Sequence, residues 1–288
     1  MTDAVEVISR HACHGGVLGY YKHRSTAVDA EMKFAVFEPP ASSSGATNPR
    51  VPVLYYLAGL TCTEETFVTK AGALEHAARH GILLVAPDTS PRVQLPGDRD
   101  SWDFGIAAGF YLNATESPWA PHYRMYSYVV DELPRVIGSR FSADVHNAGI
   151  MGHSMGGHGA LTIALKNPQK YRSLSAFAPI SAPMQVPWGQ KAFTGYLGAD
   201  HATWADYDAC DLLAHGRRFP GTILVDQGLA DKFLHDQLKP ELLEAAAKAA
   251  GQRLELRMHR GYDHGYFFIQ TFMRDHMDWH ARQLMKAA

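Results

Sequence analysis

A serine stands at the centre of a glycine-rich turn, Gly152-His153-Ser154-Met155-Gly156. The mostly apolar residues 148–151 precede this turn and the apolar residues 160–165 follow it, which is the pattern of a buried strand, a turn and a helix. The pattern predicts a nucleophile elbow, in which the turn holds the serine hydroxyl exposed at the N-terminus of the helix. Glycines are expected where any side chain would clash with the neighbouring strand and helix. Ser154 is therefore the predicted nucleophile of an acyl-transfer reaction.

A serine alcohol needs a base to take its proton, and the base needs an acid to orient it. With an elbow of this kind the order along the chain is Ser, then Asp or Glu, then His. Asp231 follows the strand pattern at 222–226, and His264 follows the strand pattern at 254–258. We therefore predict Asp231 as the acid and His264 as the base.

Two other aspartates compete for the role of the acid. Asp226 lies within its strand rather than in the loop beyond it. Asp263 adjoins His264 in the chain, and the side chains of adjacent residues usually diverge. Asp231 is therefore favoured over both, and Asp226 is the alternative if Asp231 proves dispensable.

Three other histidines lie near the predicted catalytic positions. His259, which also stands at a strand end, is the main alternative to His264 as the base. His153 and His158 lie on either side of the nucleophile, but an elbow directs its serine outward and turns its neighbours elsewhere. We expect both to pack or to form hydrogen bonds.

A tetrahedral oxyanion needs two hydrogen-bond donors beside the nucleophile. The residue after the serine usually supplies one backbone N–H, and the loop after an early strand supplies the other. Met155 is the first predicted donor. The loop 56–61 follows an early strand, and Leu60 is the predicted second donor within it.

Apolar runs and helical patterns alternate along most of the chain and predict the elements that must position these residues. An antiparallel pair is expected at the start, including residues 32–37, followed by a polar loop at 42–48. The other predicted strands are 51–57, 82–86, 148–151, 173–177, 222–226 and 254–258, and the predicted helices are 71–80, 126–137, 160–165, 240–250 and 267–284. This alternation predicts an α/β class, namely an α/β-hydrolase fold with a mostly parallel central sheet and helices on both faces. We expect one domain over residues 1–288.

Two long segments interrupt the alternation, at 98–122 and at 183–217. Both are rich in glycine and aromatic residues. Long connections inside compact domains tend to be functional, and in parallel sheets they lie at the carboxyl edge where ligands bind. We expect loops that border the active site, against the simpler alternative of surface loops.

Composition limits the class of protein and its partners. The 288 residues are 46% hydrophobic and 19% charged, with 27 basic and 29 acidic side chains and a net charge of -2. A small-molecule substrate is therefore expected and nucleic acid is not. No apolar run is long enough to cross a membrane. The start of the chain lacks the basic residues of a signal peptide, and the three cysteines are widely spaced, so a cytoplasmic protein without metal or cofactor is predicted.

Several segments closely resemble those of the S-formylglutathione hydrolases, the esterase D family. The resemblance covers almost the whole chain, and the segments that carry it are 57–64, 108–111, 123–128, 152–161, 187–189, 195–198 and 261–264. It implies a thioesterase that releases formate and glutathione from S-formylglutathione in formaldehyde detoxification, with side activity on small esters. It also implies the triad Ser154, Asp231 and His264, and a homo-oligomer.

The resemblance further implies that Cys62 lies near the active site and causes sensitivity to thiol reagents, although most free cysteines simply pack. The chain departs from the family pattern at Ala107, at Gly265 and at residues 229–230. These departures lie in loops that could shape the pocket. Substrate preference is therefore less closely implied than the mechanism.

The residues that bind the substrate are left open by the sequence. The aromatic candidates for the pocket walls are Trp102, Phe110, Trp119, Trp188 and Tyr266, and the basic candidates for glutathione carboxylates are Lys191 and Lys232. Two other functions are considered: a general short-chain carboxylesterase or acyl transferase, and a non-catalytic protein with the same fold. The presence of all three triad residues argues against the non-catalytic protein.

Overall fold

The computed structural model describes residues 4–40, 50–98 and 101–285. Within these residues, the strands form one nine-stranded sheet. Their order across the sheet is β1-β2-β3-β5-β4-β6-β7-β8-β9. The strands are β1 (Val5–Cys13), β2 (Gly16–Ser25), β3 (Ala30–Glu38), β4 (Val51–Leu57), β5 (Leu83–Pro87), β6 (Ala143–His153), β7 (Ser173–Phe177), β8 (Ile223–Gly228) and β9 (Leu254–His259). The predicted polar loop at 42–48 lies outside the described residues.

Strand direction divides the sheet into two parts. Strands β1, β2 and β3 pair antiparallel, and β3 pairs antiparallel with β5. From β5 through β4 to β9 every pair is parallel. The inner strands β5 and β7 are buried along their whole length, as expected for parallel strands covered on both faces. The α/β class and the mostly parallel sheet predicted from the sequence are confirmed.

Helices cover the sheet between the strands. They are α1 (Glu64–Lys70), α2 (Ala73–His80), α3 (Met125–Ser127), α4 (Leu133–Arg140), α5 (Met155–Lys166), α6 (Pro187–Leu197), α7 (His201–Trp204), α8 (Ala209–Ala214), α9 (Pro240–Ala250) and α10 (Tyr266–Leu284). Helix α2 packs with α10, whereas α5 packs with α8, and both α5 and α10 lie against β6 and β7. Within the described residues, no helix is long and apolar enough to cross a membrane.

The segment 183–217 differs from its prediction, because it contains helices α6, α7 and α8 rather than loops alone. Helix α6 starts at Pro187 and buries Trp188, Ala192 and Tyr196, which are spaced four residues apart. Its glycines and aromatic residues obscure this spacing in the sequence. The described residues of 98–122 form turns, and Thr61 donates to the carbonyl of Ala107 at 3.1 Å. That contact places the segment against the loop after β4.

The predicted helix at 126–137 is interrupted by a π-helical turn, Tyr128–Glu132. The turn places the Glu132 carboxylate in the protein interior. There it accepts hydrogen bonds from Ser25 Oγ at 2.6 Å, from Thr26 N at 2.8 Å and from Ala27 N at 2.9 Å. These donors satisfy the buried charge and attach the turn between β2 and β3 to the helix.

Two histidines of α10 form a buried hydrogen-bonded chain with serines of β7. His280 bonds to Ser173 Oγ at 2.6 Å and to Ser175 Oγ at 2.8 Å, and His276 bonds to Ser175 Oγ at 2.9 Å. Burial lowers the pKa of both histidines, that of His280 well below its ordinary value. Both imidazoles are therefore neutral at pH 7.

The buried histidines predict a loss of stability in acid. Because their pKa values are lower in the folded protein, the unfolded chain binds more protons as the pH falls below about 6.5. Stability is therefore fully present above that pH and falls as the pH decreases toward the folded-state pKa values. Each histidine should contribute a slope of about 1 kcal/mol per pH unit.

Thermal melts from pH 7 to pH 5 measure this slope. We expect His280→Gln to be less stable than the unsubstituted protein at pH 7 but to lose less melting temperature on acidification. His215→Gln, at an exposed position, is the control and should keep the original slope. If the melting temperature of His280→Gln fell with pH as steeply as that of the unsubstituted protein, the buried His280 would not be a source of the acid sensitivity.

Candidate active site

Ser154 lies on the turn between β6 and α5. Its backbone has φ 57° and ψ -118°, a conformation that residues other than glycine rarely adopt. The Ser154 N–H donates to the carbonyl of Phe177 at 3.0 Å, and the Ser154 carbonyl accepts from His158 N at 3.0 Å. These bonds hold the strained turn between its strand and its helix.

The two glycines around Ser154 stand where no side chain has room. A Cβ atom on Gly152 would lie 2.1 Å from the carbonyl oxygen of Gly156, and one on Gly156 would lie 1.9 Å from that of Leu57. Both distances are far below van der Waals contact. The start of α5 therefore packs directly on the end of β4, which confirms the clash predicted from the sequence.

Asp231 and His264 form a hydrogen-bonded pair. His264 Nδ1 lies 2.6 Å from Asp231 Oδ2, and because a carboxylate only accepts, the imidazole proton belongs on Nδ1 and leaves Nε2 as the acceptor. Asp231 also accepts from Phe233 N at 2.8 Å and from Gln227 Nε2 at 3.3 Å. The carboxylate is thus buried with three donors, and these orient it toward His264.

The elbow and the Asp231–His264 pair meet at the carboxyl edge of the sheet. The ring centroids of His153, the residue before the serine, and His264 lie 4.5 Å apart. Ser154 is only 3% exposed, whereas the sequence predicted an exposed hydroxyl. Two neighbouring loops contribute to this burial: a Cβ on Gly59 would lie 3.2 Å from Ser154 Cβ, and Ile180 N donates to the Ser154 carbonyl at 3.2 Å.

Leu60 and Met155 are the residues predicted to supply the oxyanion donors, and both belong to segments that adjoin Ser154. Met155 is the first residue of α5, so its N–H has no acceptor within the helix. The Leu60 N–H has no hydrogen-bond acceptor among the described residues. Tyr111 Oη donates to the carbonyl of Ala58 at 2.9 Å and fixes this loop, and Gly59 lies against Ser154 Cβ. Both amides are therefore available to a ligand beside the serine.

The alternative acid and base occupy a different network. Arg257 donates to Asp226 Oδ2 at 2.7 Å, and His259 and His276 lie 3.4 and 3.3 Å from the same oxygen. Burial by itself would raise the pKa of Asp226, but the contacts with His276 and Arg257 outweigh burial and lower that pKa to about 2. Asp226 on β8 thus forms an ion pair with Arg257 on β9 and does not contact His264.

The two histidines beside Ser154 are buried and neutral. His158 Nε2 donates to the carbonyl of Phe110 at 3.0 Å, and burial lowers the pKa of His158 to about 4. Burial and the nearby His264 lower the pKa of His153 well below its ordinary value. His158 therefore has the hydrogen-bonding role expected from the sequence, and His153 packs against His264.

The aromatic candidates separate into two groups. Tyr266 is within 6.0 Å of His153 between ring centroids, and Trp188 approaches the site through Phe233, a residue that the sequence analysis missed. Phe233 stands two positions after Asp231, and this closeness in the chain is the sequence signal that could have placed it near the site. Phe110 and Trp119 are instead buried in aromatic clusters with residues of α6.

Cys62 lies beside Tyr266 rather than at the nucleophile position. Burial raises the pKa of the Cys62 thiol, and hydrogen bonds with Tyr266 and Thr66 only partly oppose this effect. A thiol with a raised pKa is mostly protonated at pH 7 and reacts slowly. Within the described residues, no group of three or more His, Cys, Asp or Glu side chains is arranged to hold a metal ion.

Known proteins resemble this chain over almost its whole length. The family model described as "Putative esterase" matches residues 25–279. A relative from Paracoccus denitrificans (strain Pd 1222), an S-formylglutathione hydrolase, is 50% identical over 99% of this chain and 100% of its own. The S-formylglutathione hydrolase of Arabidopsis thaliana is 53% identical over 92% of each chain. This chain belongs to the S-formylglutathione hydrolase family.

A solved structure from the same family supports the fold. The S-formylglutathione hydrolase of Agrobacterium tumefaciens superimposes with a TM-score of 0.93 at 50% identity, over 97% of this chain and 99% of the other. The family resemblance predicted from the sequence is therefore confirmed. The roles of Ser154, Asp231 and His264 remain predictions, which the geometry of the site supports.

Replacement of the two aspartates separates their roles. Asp231→Asn should lower kcat by about 10⁴-fold with the fold intact, because an amide favours the wrong tautomer of His264. Asp226→Asn should lower the melting temperature but change kcat much less, because Asp226 contacts Arg257 and His276 instead. Steady-state rates on a 4-nitrophenyl ester and melting curves provide the measurements. A near-normal rate for Asp231→Asn would return Asp226 to consideration.

Proposed function

We propose that this protein is a serine thioesterase that hydrolyses S-formylglutathione to formate and glutathione. The observation that carries the proposal is the 50% identity, over 99% of the chain, to a relative of that name. The elbow serine and the Asp231–His264 pair supply the chemistry that such a reaction needs. The proposed catalytic residues are Ser154, His264 and Asp231.

The first half of the reaction transfers the formyl group to Ser154. The hydroxyl oxygen attacks the thioester carbonyl carbon while His264 Nε2 takes its proton, and Asp231 stabilises the imidazolium that forms. The amides of Leu60 and Met155 stabilise the oxyanion of the tetrahedral intermediate. The C–S bond then breaks, and the imidazolium returns the proton to the departing glutathione sulfur.

The second half releases formate. A water molecule gives a proton to His264 and attacks the formyl ester of Ser154, which forms a second oxyanion at the same two amides. The ester C–O bond breaks, and His264 returns the proton to the serine oxygen. The proposed mechanism needs no metal or cofactor.

The shape of the site favours a small acyl group. Ser154 is buried, and the ring centroid of His153 lies 4.5 Å from that of His264 and 6.0 Å from that of Tyr266. A formyl group has one hydrogen where larger acyl groups have a chain, so it occupies the least space at the reacting carbon. We further expect a homo-oligomer in the cytoplasm, and both statements are predictions from the sequence.

A ratio of two rate constants tests the substrate. We expect kcat/KM for S-formylglutathione to exceed kcat/KM for 4-nitrophenyl acetate by at least about 100-fold, because only the thioester carries the glutathione arm that can contribute binding energy to the transition state. Both reactions are followed with the purified protein at pH 7. A ratio near one would keep the catalytic residues and change the function to general ester hydrolysis.

Removal of the nucleophile tests the mechanism. Ser154→Ala should abolish formation of the formyl-enzyme and lower both rates by about 10⁶-fold, because no other nucleophile stands at the elbow. The variant should melt at nearly the same temperature as the unsubstituted protein. Mass spectrometry of the quenched reaction detects the acyl-enzyme, and survival of most activity would exclude Ser154 as the nucleophile.

A further inference from the structure

A row of aromatic rings leads from the base toward helix α6. The Phe233 ring lies edge to face with the His264 ring, 5.1 Å between centroids, and the Trp188 ring lies 4.7 Å beyond it. These two contacts place Trp188 within about 10 Å of His264, which is the span of an extended tripeptide. Trp102 meets Trp188 edge to face at 5.4 Å.

The far end of this row is open to solvent. Trp188 is buried, but Trp102 is 54% exposed. Trp102 thus presents its ring to solvent at the end of the row that starts at His264. The row therefore marks a path from His264 past the buried Trp188 to the solvent-exposed Trp102.

A charged pair lies at the end of the path. Lys191, three residues after Trp188 on α6, donates to the carboxylate of Asp103 and to Ser101 Oγ, the latter at 2.8 Å. The side chains of Lys191 and Asp103 are 34% and 15% exposed. Burial by itself would raise the pKa of Asp103, but the bonds from Lys191 and Ser101 outweigh it and lower that pKa. Both side chains remain partly open to a ligand.

Lys191 also faces a cavity. The cavity has a volume of about 540 Å³, enough for a small peptide, and one side of α6 forms much of its wall. Its lining residues are Gly97, Phe104, Trp119, Pro187, Gln190, Lys191, Thr194 and Gly195. An ammonium group has three donor positions and a carboxylate has about four acceptor positions. The ion pair thus leaves both partners with unused hydrogen-bonding capacity toward this space.

The glutathione arm carries a matching pair of charges. Its γ-glutamyl end has an α-ammonium and an α-carboxylate on the same carbon atom, so a site with one cation and one anion side by side complements it. We propose that Lys191 and Asp103 bind the γ-glutamyl end of S-formylglutathione. Lys191 donates to the α-carboxylate, and Asp103 accepts from the α-ammonium. This assignment rests on the proposed function and adds the residues that select the thiol part of the substrate.

Substrate analogues test the assignment in the unsubstituted protein. One analogue of S-formylglutathione lacks the α-amino group, and the other lacks the α-carboxylate. We expect each deletion to lower kcat/KM by about 10- to 100-fold, mainly through KM, because a charged hydrogen bond remote from the reacting carbon is lost. This measurement does not depend on how a variant folds.

Variants then connect each deletion to its residue. For Lys191→Met and Asp103→Asn, the ratio of kcat/KM for S-formylglutathione to that for 4-nitrophenyl acetate should fall about 10- to 100-fold. For Lys191→Met, kcat/KM should fall little further when the substrate lacks the α-carboxylate. For Asp103→Asn, kcat/KM should fall little further when the substrate lacks the α-amino group. Lys248→Met, at an exposed position on α9, is the matched control and should keep the original ratio.

The outcomes distinguish this assignment from the proposed function. Lys191 and Asp103 do not bind the γ-glutamyl end if the unsubstituted protein strongly prefers S-formylglutathione but hydrolyses both substrate analogues equally well. The same conclusion follows if both variants keep the ratio of the two kcat/KM values within twofold of that of the unsubstituted protein. If the unsubstituted protein shows no preference for S-formylglutathione over 4-nitrophenyl acetate, the proposed function itself fails and the assignment fails with it.

Discussion

The site depends on one close contact, in which the first turn of α5 packs on the carbonyl end of β4. Gly152 and Gly156 allow this approach because a Cβ on either would overlap a backbone carbonyl. The loop with Leu60 starts where β4 ends, and Gly59 of this loop lies against Ser154 Cβ. The lack of side chains at these two glycines therefore brings Ser154, Met155 and the loop with Leu60 together at the end of β4.

The base and the acid reach the serine because the loops after β8 and β9 bind each other. Leu229 N donates to the carbonyl of His259, and Ala230 N donates to that of Tyr262, both at 2.9 Å. Gly228 has no room for a Cβ against the Tyr262 carbonyl. Adjacent strands are about 4.8 Å apart, and β7 and β8 lie between β6 and β9. The loop after β9 must therefore pass over these two strands before His264 can approach the elbow. The paired loops make that reach possible and hold Asp231 beside it.

Electrostatics assigns different tasks to two aspartates that lie five residues apart. Asp226 points to Arg257 and His276 and stabilises the join between β8, β9 and α10. Asp231 accepts from His264 and from two further donors, Phe233 N and Gln227 Nε2, and so can stabilise a charge that appears only during reaction.

The sequence by itself determined the strand and helix pattern, the elbow, the order of Ser154, Asp231 and His264, and the family. These follow from local periodicity, from glycines with a steric reason and from motifs of short range. Only the tertiary structure decided that Ser154 is buried, that α6 is a helix, that Phe233 and Trp188 connect His264 to α6, and that Lys191 pairs with Asp103. Those residues come from segments without regular periodicity, and contacts between remote segments depend on the order of the strands, which no local pattern encodes.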